Sequence, residues 1–507
     1  TMQTSRLIAL RSPMLAGRSS LRAAALNGIR SRSISIHPNP LILTSKDQLW
    51  YKFHNTWPVV VPMTVQVPGT ISSEQGVSAK EPVCNISKLS NGVRVISETS
   101  HGLGCSLAVF LQLGSAVETA ETSGATHYLQ HLAFKATKER SHFMLTRDVE
   151  KIGGHVASGA SRDVITYAGE CLSSNAEKLF EIIAETATRP STEAYDMKSA
   201  ADLIHQDVEN STKNGASRVL DLLHEAAYAG EGLGAPLLTS NDQLPGSAVD
   251  SFLAANLVPS RIVVAGVGIE HARLAAMAEQ AFGELAAKSA PALPSSKYVG
   301  GDYRVPADLD KGEVHIALGF QGVGVADKDL LAVAAIQSLL GGGDSFSAGG
   351  PGKGLTSRIF TNVLSLQGVL SSSAFSVSYH DSGLFGVQTS ASPDRAAKAI
   401  ELVCRELVRL RKDKVTSLEL ERAVNQTRAS LLTNLEAKGI VCEDLGRQLL
   451  YFGERQSGAQ LSAKLAKLTA EDISRAAGRI LASPLTVSAY GAVQAVPPYE
   501  YIQSLLK

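Results

Sequence analysis

The sequence predicts an α+β protein of two homologous domains, each a mainly antiparallel sheet packed with helices. Three observations carry this. The order strand–helix–helix–strand–strand–helix occurs twice, with copies about 210–225 residues apart, too long a period for a solenoid and suited to a pair of domains. Strands and helices interleave without the sustained β–α–β alternation of a parallel sheet, which suggests helices on one face of each sheet. The composition, 44% hydrophobic and 19% charged over 507 residues, is that of a globular chain large enough for more than one core.

The elements of the first copy follow in order. "NGVRVISE" reads as a turn and a strand, and "SLAVFLQLGSA" (Ser106 to Ala116) as an apolar strand ending at a glycine. A helix holding "HYLQH" comes next, then a second helix, "TRDVEKIGG", stopped by glycine. "HVASGASRDVITYAGECL" gives two strands and a turn, "NAEKLFEIIAETAT" an amphipathic helix, and "RIVVAGVG" (Arg261 to Gly268) the closing strand. In the second copy "VHIALGFQGVG" (Val314 to Gly324) repeats the first long strand, with Gln321 and Gly322 echoing Gln112 and Gly114. The helices "DKDLLAVAAIQSLL" and "LTSRIFTNVL" follow, separated by a glycine-rich insertion. Then come the strand pair "SSSAFSVSYHDSGLFGVQTS", the helix "PDRAAKAIELVCRELVRL" and the strand "LTVSAYGAV" (Leu485 to Val493). The expected domains are therefore 84–291 and 311–507, joined by a linker over 292–310.

Residues 1–46 differ from the rest. They hold six arginines, one lysine and no acid, and Leu7, Leu10, Leu15, Leu21 and Leu26 can gather on one helical face. This is the composition of a mitochondrial targeting segment; a basic tail that binds an anionic surface is the alternative. Proline-punctuated residues 47–83 read as a linker or extension. The whole chain balances 48 basic against 48 acidic side chains, but outside 1–46 the net formal charge is −7. Bulk charge gives no footprint for nucleic acid. No apolar run approaches the roughly 18–20 residues that span a bilayer, so the protein is expected to be soluble or peripheral. Cys84, Cys105, Cys171, Cys404 and Cys442 are scattered and odd in number, with no C-x-x-C, which argues for a reducing compartment and against a cysteine zinc site.

"HYLQH" places His127 and His131 four apart on a helix, hence on one face, where two imidazoles can share a metal. A third donor must come from elsewhere. The helix-like "SAADLIHQDVENST", about 75 residues on, offers Asp207 and Glu209. In zinc hydrolases with this spacing, a glutamate beside the histidines takes the proton from metal-bound water. Gln130 stands at that place, and an amide has no carboxylate lone pair to accept the proton. The alternative is a pair of polar helix residues with no ligand at all. Retention of both histidines leaves metal binding open.

"LLGGGDSFSAGGPGKGLTSRIF" (Leu339 to Phe360) lies between two helices. It is not a phosphate-binding P-loop: Ser347 stands where the first glycine belongs, Gly354 follows Lys353, and no strand precedes it. A passive linker would not need Phe346, Pro351 and Lys353, so a mobile lid over an extended ligand is the favoured reading.

With "GGGDSFSAGGPGKGLTSRIFTNVL", "LLHEAAY" (Leu222 to Tyr228), "VVAGVGIEH" (Val263 to His271) and "DSGLFGVQTS" (Asp381 to Ser390), the chain from Cys84 onward resembles the inverted-zinc-motif peptidases, on the branch of mitochondrial processing peptidase alpha subunits and the paralogous core 2 subunits of the cytochrome bc1 complex. The resemblance implies a subunit with no catalytic residues and no metal of its own, paired with a catalytic beta subunit that holds the zinc. It implies that His127, Gln130 and His131, with Asp207 or Glu209, are a degenerate metal motif. It further implies that Gly341, Gly342, Gly343, Asp344, Ser345, Phe346, Ser347, Gly349, Gly350, Pro351, Gly352, Lys353 and Gly354 handle mitochondrial presequence peptides, Asp344 adding an acid for their arginines. A matrix-side role beside cytochrome bc1 subunits, peripheral to the inner membrane, is expected with or without processing activity. A zinc endopeptidase acting alone is disfavoured by Gln130.

Overall fold

In the computed structural model, residues 82–288, 290–309, 312–345, 354–413 and 415–507 are described. The targeting-like segment, most of the 47–83 extension and Phe346 to Lys353 of the glycine-rich stretch lie outside them. The first copy runs β1 (Cys84–Lys88), β2 (Arg94–Glu98), β3 (Gly104–Leu111), α1 (Ala125–Leu132), α2 (His142–Lys151), β4 (His155–Ala160), β5 (Ile165–Leu172), α3 (Ala176–Thr188), α4 (Ala194–Lys213), α5 (Gly215–Ala227), α6 (Gly246–Asn256), β6 (Ile262–Val267) and α7 (His271–Phe282). The second runs β7 (Gly301–Pro306), β8 (Val314–Gln321), α8 (Leu330–Leu340), β9 (Gly342–Asp344), α9 (Arg358–Asn362), β10 (Val369–Ser378), β11 (Gly383–Ala391), α10 (Ala396–Lys412), α11 (Ser417–Asn434), α12 (Lys438–Phe452), α13 (Gly458–Leu465), α14 (Ala470–Leu481), β12 (Thr486–Gly491) and α15 (Tyr499–Leu505).

Among the described residues the strands form two six-stranded sheets, ordered β1-β2-β6-β3-β5-β4 and β7-β12-β8-β11-β10-β9. Pairing is antiparallel except β2 with β6 and β7 with β12. Strand β7 occupies part of the expected 292–310 linker. Its flanking glycines and half-exposed edge position hide the short alternation that makes it a strand.

The helices are not confined to one face of each sheet. On β3, Cys105, Leu107, Val109 and Leu111 join the core under α1, α3 and α7, whereas Ala108 and Phe110 pack with Val441, Cys442, Leu445 and Leu449 of α12 from the other copy. On β8, Ile316, Leu318 and Phe320 face α8, α10 and α14, whereas Ala317 joins Val219, Leu222, Leu223 and Ala227 of α5 from the first copy. Each copy thus sends one helix onto the other's sheet. The central strands are buried at odd and even positions alike, and the face each turns to the crossing helix carries small or apolar residues (Ala108 and Phe110 on β3, Ala317 and Gly319 on β8) that let that helix lie close. Gly446 permits the approach: a Cβ there would fall 2.0 Å from Phe110 Cε2. Each leucine buried this way contributes about 1.5–3 kcal/mol. No helix among the described residues is long and apolar enough to cross a membrane.

Candidate functional site

Helix α1 is capped at its N-terminus by Gly124, whose φ of 97° is left-handed and suits glycine. Its first turn is capped by Glu118, whose carboxylate accepts from the amides of Gly124 (2.7 Å) and Thr126 (2.8 Å). Burial nevertheless pushes the Glu118 carboxyl above its ordinary range. Ala125, Tyr128, Leu129 and Leu132 enter the core, which leaves His127 and His131 on the side that meets α4.

Helix α4 completes a three-donor cluster. Asp207 Oδ2 lies 3.3 Å from His127 Nε2 and 2.9 Å from His131 Nε2, and the two Nε2 atoms are 3.2 Å apart. A tetrahedral zinc with bonds near 2.0–2.1 Å holds its ligand atoms about 3.3–3.4 Å apart, so the triangle has metal-site dimensions. Of the two carboxylates the sequence offers, only Asp207 converges. Glu209, two residues on and about 200° around the helix, is exposed and paired with Lys213 at 2.7 Å. Asp207 continues the spacing of the buried Ala200 and Ile204, which turns it toward α1.

Two features oppose a working metal hydrolase. Gln130 is half-buried beside the histidines, its backbone carbonyl accepting from Ser158 Oγ of β4 at 3.2 Å, and its side chain has no basic lone pair to offer water. The second feature is Thr239, whose backbone amide donates to His127 Nδ1 at 3.3 Å. A zinc-bound histidine ordinarily donates a proton from that nitrogen to an acceptor. The donor spacing fits zinc, but the surroundings of His127 do not. Burial, and then neighbouring His131, holds the His127 imidazole below its ordinary range and therefore neutral at pH 7.

The glycine-rich stretch begins as a strand, not as free loop. Gly342 to Asp344 pair with Ser371 to Ser373 as β9 against β10, and the Ser345 amide donates to Leu370 O at 2.8 Å. Gly341 (φ 60°) and Gly342 (φ 126°) make the turn into it. A Cβ on Gly341 would meet Ser357 Cβ at 2.3 Å, and one on Gly342 would meet Ser372 O at 2.2 Å. The Gly342 amide donates to Ser357 Oγ at 3.2 Å, tying the outgoing strand to the returning chain. Just beyond, Arg358 makes a two-pronged contact with Glu419 at the start of α11 (2.8 and 3.2 Å). The chain re-enters the described residues at Gly354, beside Gln426 of α11. The first residues of the expected Gly341 to Gly354 loop thus belong to a sheet.

The profile for Insulinase (Peptidase family M16) matches residues 94–241, and that for the Peptidase M16 inactive domain matches 246–427. A probable mitochondrial-processing peptidase subunit alpha-1 of Arabidopsis thaliana is 35% identical over 443 residues, covering 85% of this chain and 88% of the relative. The mitochondrial-processing peptidase subunit alpha of Solanum tuberosum is 34% identical over 426 residues (83% and 84%). The chain belongs to the M16 peptidases, in the family of mitochondrial-processing peptidase alpha subunits. The Bos taurus alpha subunit, 29% identical over 478 residues, spans 88% of the chain and 89% of its own length. In this M16 fold the first profile contains the histidine–aspartate cluster and the inactive-domain profile contains the glycine-rich stretch.

Sequence reasoning missed Glu118, Thr239, Ser357 and the Arg358–Glu419 pair. Only the last had a local signal, the capping box Thr416–Glu419 that opens α11. Thr239 acts through its backbone amide, which every residue except proline carries, so no residue type marks it.

Proposed function

We propose that this chain is the non-catalytic alpha subunit of a mitochondrial processing peptidase, binding the presequences of imported precursors for cleavage by a zinc-bearing beta subunit. The observation that carries this is Gln130 between two retained histidines: the metal-site triangle persists while the group that would activate water is absent. Hydrolysis then belongs to a partner with an intact glutamate at that place, and zinc to the partner's site. The chain's similarity to mitochondrial-processing peptidase alpha subunits supports the assignment.

Substrate handling falls to the glycine-rich stretch. A sheet-anchored stem, Gly341 to Ser345, and a return pinned through Ser357 and Arg358 flank a glycine-rich sequence whose composition suits contact with an extended peptide through backbone. Asp344 on the stem and a body of net charge −7 outside residues 1–46 favour arginine-bearing presequences. The reading places the protein in mitochondria, on the matrix side, and its resemblance to core 2 subunits extends it to a core position in respiratory complex III.

The test is deletion of Gly341 to Gly354 in the reconstituted heterodimer. Presequence affinity and cleavage that stay at the wild-type level would refute the proposal. Co-purification with cytochrome b and cytochrome c1, measured alongside processing, tests the complex III position.

A further inference from the structure

We infer that the Thr239 amide holds His127 as its Nε2–H tautomer, making the His127–Asp207–His131 cluster a hydrogen-bonded staple between α1 and α4 that excludes zinc whatever residue occupies position 130. A backbone N–H only donates, so Nδ1 of His127 must present its lone pair to Thr239 at 3.3 Å. A neutral imidazole then carries its proton on Nε2, the atom that faces Asp207 Oδ2 at 3.3 Å. Both polar atoms of the ring are satisfied without a metal. His131 supplies a second contact to the same oxygen at 2.9 Å, so one carboxylate oxygen ties two turns of α1 to α4.

Zinc requires the opposite arrangement. A metal at Nε2 needs the lone pair there and the proton at Nδ1, where it would point at the Thr239 N–H. Relief would need the 239–241 segment to move, and that segment is fastened. Thr239 is 7% exposed, and its side chain packs on the N-cap of α1 so closely that a Cβ on Gly124 would fall 2.7 Å from Thr239 Oγ1. The Asn241 amide donates to Thr239 Oγ1 at 3.0 Å, and Asn241 O accepts from Tyr128 Oη at 3.2 Å. The cluster therefore keeps metal-site dimensions inside a surrounding shell of reversed polarity. This goes beyond the loss of the base at Gln130, and it holds whether or not presequences bind.

The full-length chain labelled with ¹⁵N-histidine tests it directly. A long-range ¹H–¹⁵N correlation, with His127 assigned by loss of its signals in H127Q, is expected to show a protonated Nε2 and a bare Nδ1. Zinc retained after dialysis is measured in the wild type and in Q130E, each against the same protein carrying H131A, so that only zinc at this cluster counts. Both differences are expected to stay below about one tenth of an equivalent, since the Nε2 lone pair that a metal would need carries a proton instead. One equivalent of H131-dependent zinc in either protein, or a protonated His127 Nδ1, overturns the inference. T239P deletes the N–H; combined with Q130E in a chain that melts as cooperatively as wild type, it is expected to raise zinc affinity at least tenfold, and no gain counts against the inference.

Discussion

Tyr451 of α12 donates its phenolic proton to Asp163 Oδ2 at 2.5 Å, joining a helix of the second copy to the β4–β5 turn of the first. The two copies make this kind of contact reciprocally. Tyr228, just past α5, reaches the β10–β11 turn, with Ser382 Oγ at 3.0 Å and Gly383 O at 3.1 Å. Burial, reinforced by Asp163, pushes the Tyr451 phenol up, so it stays a donor at any physiological pH. Y451F removes a bond to a charged acceptor and is expected to cost about 1.5–3 kcal/mol, while Y228F, facing neutral partners, costs about 0.5–1.5 kcal/mol. Urea unfolding of the two variants checks this; equal losses would mean that the charge on Asp163 contributes nothing.

The two carboxylates of α4 should separate cleanly by mutation. D207A strips the shared acceptor from His127 and His131 and is expected to lower stability by about 1–3 kcal/mol, through buried donors left unpaired. E209A breaks only an exposed pair with Lys213 and should leave the melting temperature unchanged. Thermal melts followed by circular dichroism distinguish them, and a larger effect from E209A would reverse the assignment.

The stem of the glycine-rich stretch admits no side chain. G342A places a methyl group against Ser372 O at a φ of 126°, which L-residues rarely adopt. A strain of about 1–3 kcal/mol is expected to open β9 locally. Hydrogen exchange at the Ser345 amide, which donates to Leu370 O, should accelerate by tenfold or more while the β8 and β11 amides stay protected. Loss of protection throughout the sheet would show instead that β9 is integral to the core.

A pH effect follows from Arg358 and Glu419. The guanidinium hydrogen bonds, chiefly, hold the Glu419 carboxyl down to about 2. A carboxyl lowered on folding stabilises the native state above its unfolded value, near 4.3. That contribution fades as pH falls from about 4.3 toward 2. E419Q should therefore lose about 1.5–3 kcal/mol at pH 7 and show a shallower decline than wild type across this acid window. Unfolding midpoints measured from pH 7 to pH 2.5 decide it; parallel curves would exclude the pair as a source of acid sensitivity.

Much of this protein is legible along the chain because it is local. The apolar run Ser106 to Leu111, the glycine stops and the four-residue spacing of His127 and His131 each depend on neighbours within a few residues, and the duplicated element order shows by comparing the two copies. Even the choice of Asp207 over Glu209 was available, since Asp207 lies three residues beyond the buried Ile204 on a helix of period 3.6.

What the sequence by itself determined is the fold class, the duplication, and a three-residue motif in which an amide replaces the base. The tertiary structure decided which helix covers which sheet, because an apolar face states that it needs a partner without naming one: α5 and α12 each crossed to the other copy. It also decided that the glycine-rich stretch starts as a sheet edge, since β9 exists only through its pairing with β10. The polarity around His127 was likewise set in three dimensions. The group that meets Nδ1 is a backbone amide 112 residues away, and a backbone amide leaves no mark in the identity of its residue.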